Sequence, residues 1–307
     1  MTLSHDPLWP RAGDWPPTFP EPVEGRRDLA LIGIPTWRTS LTPGGTGSTP
    51  AAVREALRYY NESRSPDRSA TSSAPQSPLV AADWGDVTDP DGPEGEARAI
   101  AAVRAAAATA RLLVAVGGDN AATVPAALGT WGERLATAGL VTVDAHHDLR
   151  DGISNGSPVR RLVEAGLDGR RIVQIGIADF ANSAEYAARA ADYGITVIHR
   201  DELSRRPMAD VMAEALEIAG AAGGPIHVDL DVDVCDRSVV PACPAAVPGG
   251  ISAYELRSAA RVAGAHPAVE SVDLTEVDAS KDCADGRTVR LVALCVLELA
   301  AAVRERR

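Results

Sequence analysis

The chain has 307 residues, of which 45% are hydrophobic, 23% are charged and only 4% are aromatic, and its formal net charge is −12. This length suits one large α/β domain or two small ones, and the composition is that of a soluble globular protein. The negative charge argues against nucleic acid and against an anionic membrane as partners, and no apolar run is long enough to span a bilayer.

The N-terminal segment, residues 1–27, is polar and rich in proline and tryptophan, so we expect an irregular arm. It lacks the basic stretch followed by an apolar run that marks a secretory signal. The four cysteines, Cys235, Cys243, Cys283 and Cys295, form no CxxC pair, and no histidine stands at zinc-finger spacing from them. These features predict reduced thiols and a cytoplasmic location.

Strand and helix signals alternate along the rest of the chain. The predicted strands lie at 29–33, 80–83, 112–116, 140–144, 172–177, 195–198, 226–231 and 269–274. The predicted helices lie at 51–60, 94–110, 121–128, 158–165, 183–193, 208–219, 253–263 and 289–304. This alternation predicts an α/β fold in which a mostly parallel sheet of about eight strands lies between two layers of helices, a three-layer αβα sandwich.

Two stretches need separate interpretation. Residues 42–50 are rich in glycine, but they lack the lysine of a phosphate-binding loop and contain no GxGxxG. We instead expect Thr49 to cap a helix and Pro50 to take its first position. Residues 62–78 are rich in serine, proline and arginine and predict a mobile surface insertion, because strand and helix signals resume directly after them. Residues 28–307 are therefore predicted to form a single domain.

The predicted strand at 140–144 runs straight into Asp144, His146 and Asp148. In extended backbone, a spacing of two places all three side chains on one side of the strand. Two carboxylates and an imidazole suit a borderline-hard divalent metal such as Mn²⁺. Taken alone, the pattern is equally compatible with a solvated strand end.

A second acidic strand favours the metal site. Asp229, Asp231 and Asp233 also alternate onto one side, and so many carboxylates repel one another unless cations lie among them. Ligands collect at the carboxyl ends of parallel strands, where residues 118–120 and Glu276 are predicted to lie as well. The two motifs together supply enough carboxylate ligands for two divalent ions. A pair of such ions can activate a water molecule near neutral pH.

These motifs resemble those of the ureohydrolases, the family of arginase, agmatinase, guanidinobutyrase and formimidoylglutamase. The resemblance spans nearly the whole chain. Its pieces are GGDN at 117–120 (family GGDH), DAHHD at 144–148 (family DAHxD), DVDVCD at 231–236 (family DxDxxD), Pro241, PGG at 248–250 and DLTEV at 273–277. The resemblance implies an arginase-like catalytic domain over residues 28–307.

The resemblance also implies two Mn²⁺ ions per subunit. The implied ligands are Asn120, Asp144, His146, Asp148, Asp231 and Asp233. Within the acidic strand, only the pair Asp231 and Asp233 has Asp236 three residues further on, as the family motif requires. Asp229 then lies one step deeper in the strand.

Two departures from the family pattern bear on the chemistry. Asn120 stands where the family has a histidine ligand, and an amide oxygen is the weaker ligand, so the nearby metal site is predicted to be weak or to take another metal. Asn155 stands near the place of the proton-shuttle histidine of arginase, which argues against arginase itself. The DAHHD variant and the pair Asp236 and Arg237 are most similar to formimidoylglutamase-type members.

The implied activity is hydrolysis of a linear amidine, most closely of N-formimidoyl-L-glutamate to L-glutamate and formamide. Asp148 and Glu276 would be the catalytic residues, Asp148 as a metal ligand and Glu276 as the acceptor for the cationic amidinium. Asn155, Arg160 and Glu276 would bind the substrate, with Arg160 clasping a substrate carboxylate. The other interpretation of Arg160 is a solvated arginine at a helix start.

Two alternatives stay open. A guanidine hydrolase of the agmatinase or guanidinobutyrase kind would use the same metal core and release urea. The second alternative is a metal-poor, non-catalytic homologue, because Asn120 replaces a histidine ligand at one of the two metal sites. Members of the family are commonly trimers or hexamers, so we expect a homo-oligomer whose partner is a small amidine or guanidine.

Overall fold

The computed structural model of the protein describes residues 3–17, 25–63 and 78–306. The strands within these residues are β1 (Arg27–Ile34), β2 (Ala81–Asp86), β3 (Ala110–Gly117), β4 (Gly139–Val143), β5 (Ile172–Ile177), β6 (Thr196–His199), β7 (Ile226–Asp231) and β8 (Val269–Thr275). The α-helices are α1 (Thr49–Leu57), α2 (Gly92–Ala107), α3 (Thr123–Trp131), α4 (Pro158–Ala165), α5 (Ala184–Tyr193), α6 (Met208–Ala219), α7 (Ala253–Ala265) and α8 (Arg287–Arg304).

The strands form one sheet in the order β2-β1-β3-β8-β7-β4-β5-β6, and every pairing between them is parallel. On one face of the sheet, α1 packs against α8, α8 against α7, and α7 against α6. On the other face, α2 packs against α3 and α3 against α4. Successive side chains of β1 lie on opposite faces of the sheet. Leu29 packs in the core beneath α1 and α8, and Ala30 packs in the core beneath α2. The predicted αβα sandwich is confirmed.

The centre of the sheet carries polar side chains on one of its faces. In β7, Val228 joins the larger core, while His227, Asp229 and Asp231 alternate onto the opposite face and are at most 2% exposed. Asp229 lies beside Asp273 in the register of β7 and β8. Strands buried on both faces of a parallel sheet are usually apolar throughout, so this polar face needs an explanation other than the fold.

The start of α1 differs from the prediction. Ser48 holds the cap position, Pro50 takes the second helical position, and the hydroxyl of Thr49 donates to the carbonyl of Val277 at 2.5 Å. The prediction that Thr49 caps the helix is therefore wrong, because its hydroxyl is used in a contact that the local sequence does not reveal.

The N-terminal arm contacts Glu62 at the start of the predicted insertion. Residues 3–17 form no helix or strand beyond an isolated bridge between Pro17 and Asp83. Trp15 packs against the core, and its Nε1 donates to Glu62 at 2.5 Å. From 64 to 77 the predicted insertion lies outside the described residues. No described helix combines the length and the apolar character needed to cross a membrane.

Candidate metal centre

Four neighbouring strands deliver the candidate residues to one edge of the sheet. β3, β8, β7 and β4 are adjacent, and being parallel they all end at that edge. Asn120 follows β3, Glu276 follows β8, Asp231 ends β7 and Asp144 follows β4. A cavity of about 720 Å³ opens there, and His146 and Asp231 are among the residues that line it. The two acidic motifs, almost ninety positions apart in sequence, thus share one cavity.

Asp144, His146 and Asp233 form the tightest group, with ligand atoms that all lie within 4.8 Å of one another. His146 Nδ1 is 2.8 Å from Asp233 Oδ2 and 3.5 Å from Asp144 Oδ1. Both carboxylates are at most 2% exposed, and Asp144 Oδ2 has no hydrogen-bond partner among the described residues. A buried carboxylate oxygen without a donor is costly. A divalent cation would satisfy it, and the oxygen and imidazole donors fit Mn²⁺.

Burial shifts the pKa values of the side chains at the candidate metal centre. Burial, followed by repulsion from neighbouring carboxylates, raises the pKa of Asp144 and Asp231 well above the usual range. Burial likewise raises the pKa of Asp148 to about 7 and that of Glu276 to about 8. Burial lowers the pKa of His146, but the carboxylates around it, Asp233 first, outweigh burial and raise that pKa to about 10. Full ionisation of these carboxylates is therefore unfavourable unless cations lie among them.

Mn²⁺ affinity should consequently rise with pH between 6 and 8. Metal ions bind the deprotonated ligands, and the raised pKa values of His146 and Asp148 mean that these groups hold protons at neutral pH. His146 alone must release about one proton at pH 7. Calorimetric titration in two buffers of different ionisation enthalpy measures this release. Binding without proton release, or with an affinity that does not change with pH, would contradict this account of the cluster.

Two of the candidate carboxylates sit on strained backbone. Asp148 and Glu276 have φ of 54° and 63°, in the left-handed region that residues other than glycine rarely adopt. The N–H of Glu276 donates to Gly118 O at 3.0 Å, and Glu276 Oε1 accepts from the N–H of Asn120 at 2.8 Å. Such strain costs on the order of 1–3 kcal/mol for each residue and persists only where the surroundings impose the conformation.

Asn155 serves as a brace. Its Nδ2 donates to Glu276 Oε1 at 2.7 Å, and its Oδ1 accepts from the N–H of Leu41 at 3.0 Å. The side chain thus ties the loop around Leu41 to the strained carboxylate, and its amide carries no titratable proton to shuttle.

Close contacts explain why glycine and aspartate occupy positions 118 and 119. A Cβ on Gly118 would lie 1.9 Å from the carbonyl oxygen of Thr36, so only glycine fits. Asp119 is wholly buried and its Oδ2 accepts from Ser40 at 2.5 Å, which anchors the loop that carries Leu41. Gly118 and Asp119 therefore hold the loop that contains Thr36, Ser40 and Leu41.

Comparison with known proteins identifies the family. The model of the arginase family matches residues 27–302, which is nearly the whole chain. The chain belongs to the arginase family. The resemblance expected from the sequence motifs is thereby confirmed.

Three relatives of this arginase-family chain are informative. Formimidoylglutamase of Halalkalibacterium halodurans is 30% identical over 280 residues, which cover 85% of this chain and 83% of the relative. The crystal structure of formimidoylglutamase from Bacillus subtilis has a TM-score of 0.88 at 25% identity and covers 99% of this chain and 95% of its own. A structure of Trypanosoma cruzi formiminoglutamase with Mn²⁺ has a TM-score of 0.81 at 23% identity, with coverages of 92% and 95%, and shares the fold.

Arg160 lies elsewhere than the arginase-family resemblance suggested. It does not line the cavity, and it is only 9% exposed. Its Nε donates to the carbonyl of Arg150 at 2.6 Å, Nη2 donates to the carbonyl of Gly152, and Nη1 pairs with Glu164. The guanidinium thus holds the backbone of the loop after Asp148 and has no free edge for a substrate carboxylate. The interpretation of Arg160 as a solvated arginine also differs from this buried position.

Two other arginines line the cavity, and both were missed from the sequence. Arg150 is exposed, and no described residue pairs with its guanidinium. Arg189 lies on α5, where its Nη1 donates to Leu149 O at 2.6 Å and to Asp151 Oδ1 at 2.8 Å. The spacing of two that links 144, 146 and 148 also reaches 150, and this signal could have found Arg150. No local signal marks Arg189.

Proposed function

We propose that this chain hydrolyses the C–N bond of a linear amidine and that its substrate is N-formimidoyl-L-glutamate, which is cleaved to L-glutamate and formamide. One observation carries the proposal: buried carboxylates and an imidazole share a cavity with two arginines, Arg150 and Arg189. The first set suits divalent metals, and the second suits a substrate with carboxylates. The names of the relatives support the same activity.

The proposed cofactor is Mn²⁺, with two ions per subunit. The residues that would hold the ions are Asp144, His146, Asp148, Asp231 and Asp233, with Asn120 as the weaker sixth ligand. When bound, the pair would supply a water molecule that is activated for attack near neutral pH. Support comes from the donor set, from the unpartnered Asp144 Oδ2, and from the raised pKa values of the buried acids Asp144 and Asp231.

Glu276 is the proposed acceptor for the cationic amidinium. Its Oε1 is held by the N–H of Asn120 and by Asn155, so its orientation is set before substrate arrives. Its Oε2 takes part in no hydrogen bond among the described residues and is left for the substrate. A fixed acceptor beside the reacting carbon lowers the cost of ordering the complex.

Arg150 is the proposed partner of a substrate carboxylate, the role first expected for Arg160. It lines the cavity, its guanidinium forms no hydrogen bond or ion pair with a described residue, and its planar fork matches a carboxylate. Arg189 also lines the cavity, where its Nη1 is paired with Asp151 at 2.8 Å. A dicarboxylate therefore suits this cavity better than agmatine, whose far amine is cationic.

Product analysis tests the proposal. Protein loaded with Mn²⁺ should convert N-formimidoyl-L-glutamate to one equivalent each of formamide and glutamate, measured by mass spectrometry. Agmatine and 4-guanidinobutyrate should give no more urea than a buffer blank. Release of urea from either guanidine, with formimidoylglutamate untouched, would assign the chain to the guanidine hydrolases instead. No turnover of any of the three would favour a non-catalytic member.

The proposal extends to assembly and location. A homo-oligomer, trimeric or hexameric, is proposed because members of the family are commonly trimers or hexamers. A cytoplasmic location is proposed from the cysteines, which are all free in the structure. Light scattering of the purified protein measures the assembly directly.

A further inference from the structure

The side chain of Asn182 bonds to the backbone on both sides of His146. Its Nδ2 donates to the carbonyl of Ala145 at 2.8 Å, and its Oδ1 accepts from the N–H of His147 at 2.9 Å. Nδ2 also donates to the carbonyl of Ala178 at 3.2 Å. The bonds to Ala145 and His147 form a clamp, because one amide spans the residue that carries the imidazole.

The partners of the Asn182 amide fix its orientation. A backbone carbonyl only accepts hydrogen bonds and a backbone N–H only donates, so Nδ2 must face Ala145 and Oδ1 must face His147. Neither kind of partner titrates, so the orientation does not depend on pH. The two carbonyls, of Ala145 and Ala178, use both hydrogens of the NH₂. Asn182 also lines the cavity, but it has no donor left for a substrate carboxylate.

The clamp continues the pairing between β4 and β5 beyond the ends of these strands. Ala178 comes directly after β5, and its N–H donates to the carbonyl of Ala145 at 3.0 Å. The chain then turns at Phe180, whose φ of 66° lies in the left-handed region. After that turn a side chain, that of Asn182, supplies the acceptor for the N–H of His147.

A second amide holds the residue that follows His146. Gln174 lies in β5 and is wholly buried. Its Nε2 donates to the carbonyl of His147 at 2.8 Å, and its Oε1 lies 2.7 Å from Nδ1 of the same histidine. The carbonyl of Ala145 and both backbone groups of His147 are therefore bonded to side chains from β5 and the loop after it.

The imidazole of His146 has less independent support than its backbone. Its hydrogen-bond and ion-pair partners among the described residues are Asp233, at 2.8 Å from Nδ1, and Asp144, at 3.5 Å. Both are proposed metal ligands. Carboxylate oxygens that bind a cation are no longer free to hold the ring, so the position of the imidazole then depends on the backbone of residues 145–147.

We propose that Asn182 is a positioning residue for His146, which its amide clamps on both sides, and that Gln174 completes this support from β5. The inference rests on the proposed function insofar as His146 binds Mn²⁺, but it does not depend on the substrate. Partners that orient a metal ligand typically change metal affinity 10- to 100-fold when they are removed.

Two substitutions of Asn182 separate the bonds of the clamp. Asn182→Ala removes both, whereas Asn182→Asp keeps an acceptor for the N–H of His147 and loses the donor to the carbonyls. Mn²⁺ affinity, measured by calorimetry at one pH, should fall on the order of 10-fold in Asn182→Ala. In the metal-free protein, hydrogen exchange followed by NMR should show the His147 amide protected in the wild type and in Asn182→Asp but not in Asn182→Ala.

Asp179→Ala is the matched control. Asp179 is exposed on the same loop, and its side chain forms no hydrogen bond or ion pair with a described residue. The control should change neither the Mn²⁺ affinity nor the exchange of the His147 amide. The melting temperature of the metal-free protein shows whether each variant is folded. If Asn182→Ala fails to fold, Asn182→Ser repeats the measurement, because a serine hydroxyl is too short to span both partners.

Three results would overturn the inference. Equal Mn²⁺ affinity in the wild type and Asn182→Ala would show that the clamp does not position the ligand. Rapid exchange of the His147 amide in the wild type would show that the clamp does not form. A raised KM at saturating Mn²⁺, with the metal affinity unchanged, would make Asn182 a substrate-binding residue instead.

The reaction and the clamp can fail separately. Neither the calorimetry nor the exchange measurement uses a substrate, so a different substrate would leave both patterns intact. A wild-type protein that binds no Mn²⁺ would overturn both the proposed function and the positioning of His146 as a ligand.

Discussion

Replacement of Asp231 by alanine should abolish hydrolysis without unfolding the metal-free protein. Asp231 is 2% exposed, and burial followed by repulsion from Asp233 and Asp144 raises its pKa well above the usual range. Its removal relieves that repulsion, which offsets the loss of the acceptor for the N–H of Asp233 at 2.8 Å. The several kcal/mol that bound metal contributes to the transition state correspond to a loss of roughly 1,000-fold or more in kcat/KM.

The measurement combines activity, metal content and thermal unfolding with and without a chelator. Asp192→Ala is a suitable control, because it removes one acid from the exposed side of α5 and should change none of the three. The wild type should gain stability from Mn²⁺ whereas Asp231→Ala should gain much less. An Asp231→Ala protein that keeps both its activity and its response to Mn²⁺ would rule out Asp231 as a ligand.

Replacement of Arg150 by alanine should impair turnover of N-formimidoyl-L-glutamate far more than turnover of a small amidine without carboxylates. A hydrogen-bonded contact to a charged group is worth about 1.5–3 kcal/mol, which is roughly 10- to 150-fold in kcat/KM. The exposure of Arg150 favours the lower part of that range, because water screens the charge. Formamidine, which has no carboxylate, should be hydrolysed at nearly the wild-type rate.

Two further arginine variants serve as controls. Arg170→Ala removes a charge that lies on the surface beside Asp168 and should leave both substrates unaffected. Arg160→Ala removes the support of the loop carbonyls and should slow both substrates while lowering the melting temperature. Equal losses on both substrates in Arg150→Ala would mean that Arg150 supports the loop and does not bind a carboxylate.

The sequence predicted the fold well because the signals were strong and repeated. Each predicted strand and helix has a counterpart, since unbroken apolar runs such as residues 112–116 can be buried only between two helical layers. Parallel pairing then placed Asp144, Asp231 and Glu276 at one edge without any knowledge of their contacts. The end of α1 was less accurate, because the helix stops at Leu57 instead of continuing to residue 60.

What the sequence did not reveal depends on loops and on distant partners. Arg160 was assigned to the substrate because it follows the metal motif, but Asp148 has a left-handed backbone that redirects the chain. That turn sends Arg150 to the cavity wall and leaves Arg160 beneath the loop. The side chain of Asn120 accepts a hydrogen bond from Thr275, which is 155 positions away in the sequence. Neither fact has a local signature.

The strand order has a consequence for how the protein matures. β8 follows all the other strands in the sequence, yet it lies between β3 and β7 at the centre of the sheet. On the ribosome, the segments that carry Asn120 and Asp231 emerge well before the strand that joins them. Until residues 269–276 have been synthesised and inserted, neither segment has its central neighbour and Glu276 is missing from the cavity. The proposed ligands all precede β8, but β7 lacks one of its two neighbours until β8 is inserted, so the completed cavity follows translation of β8.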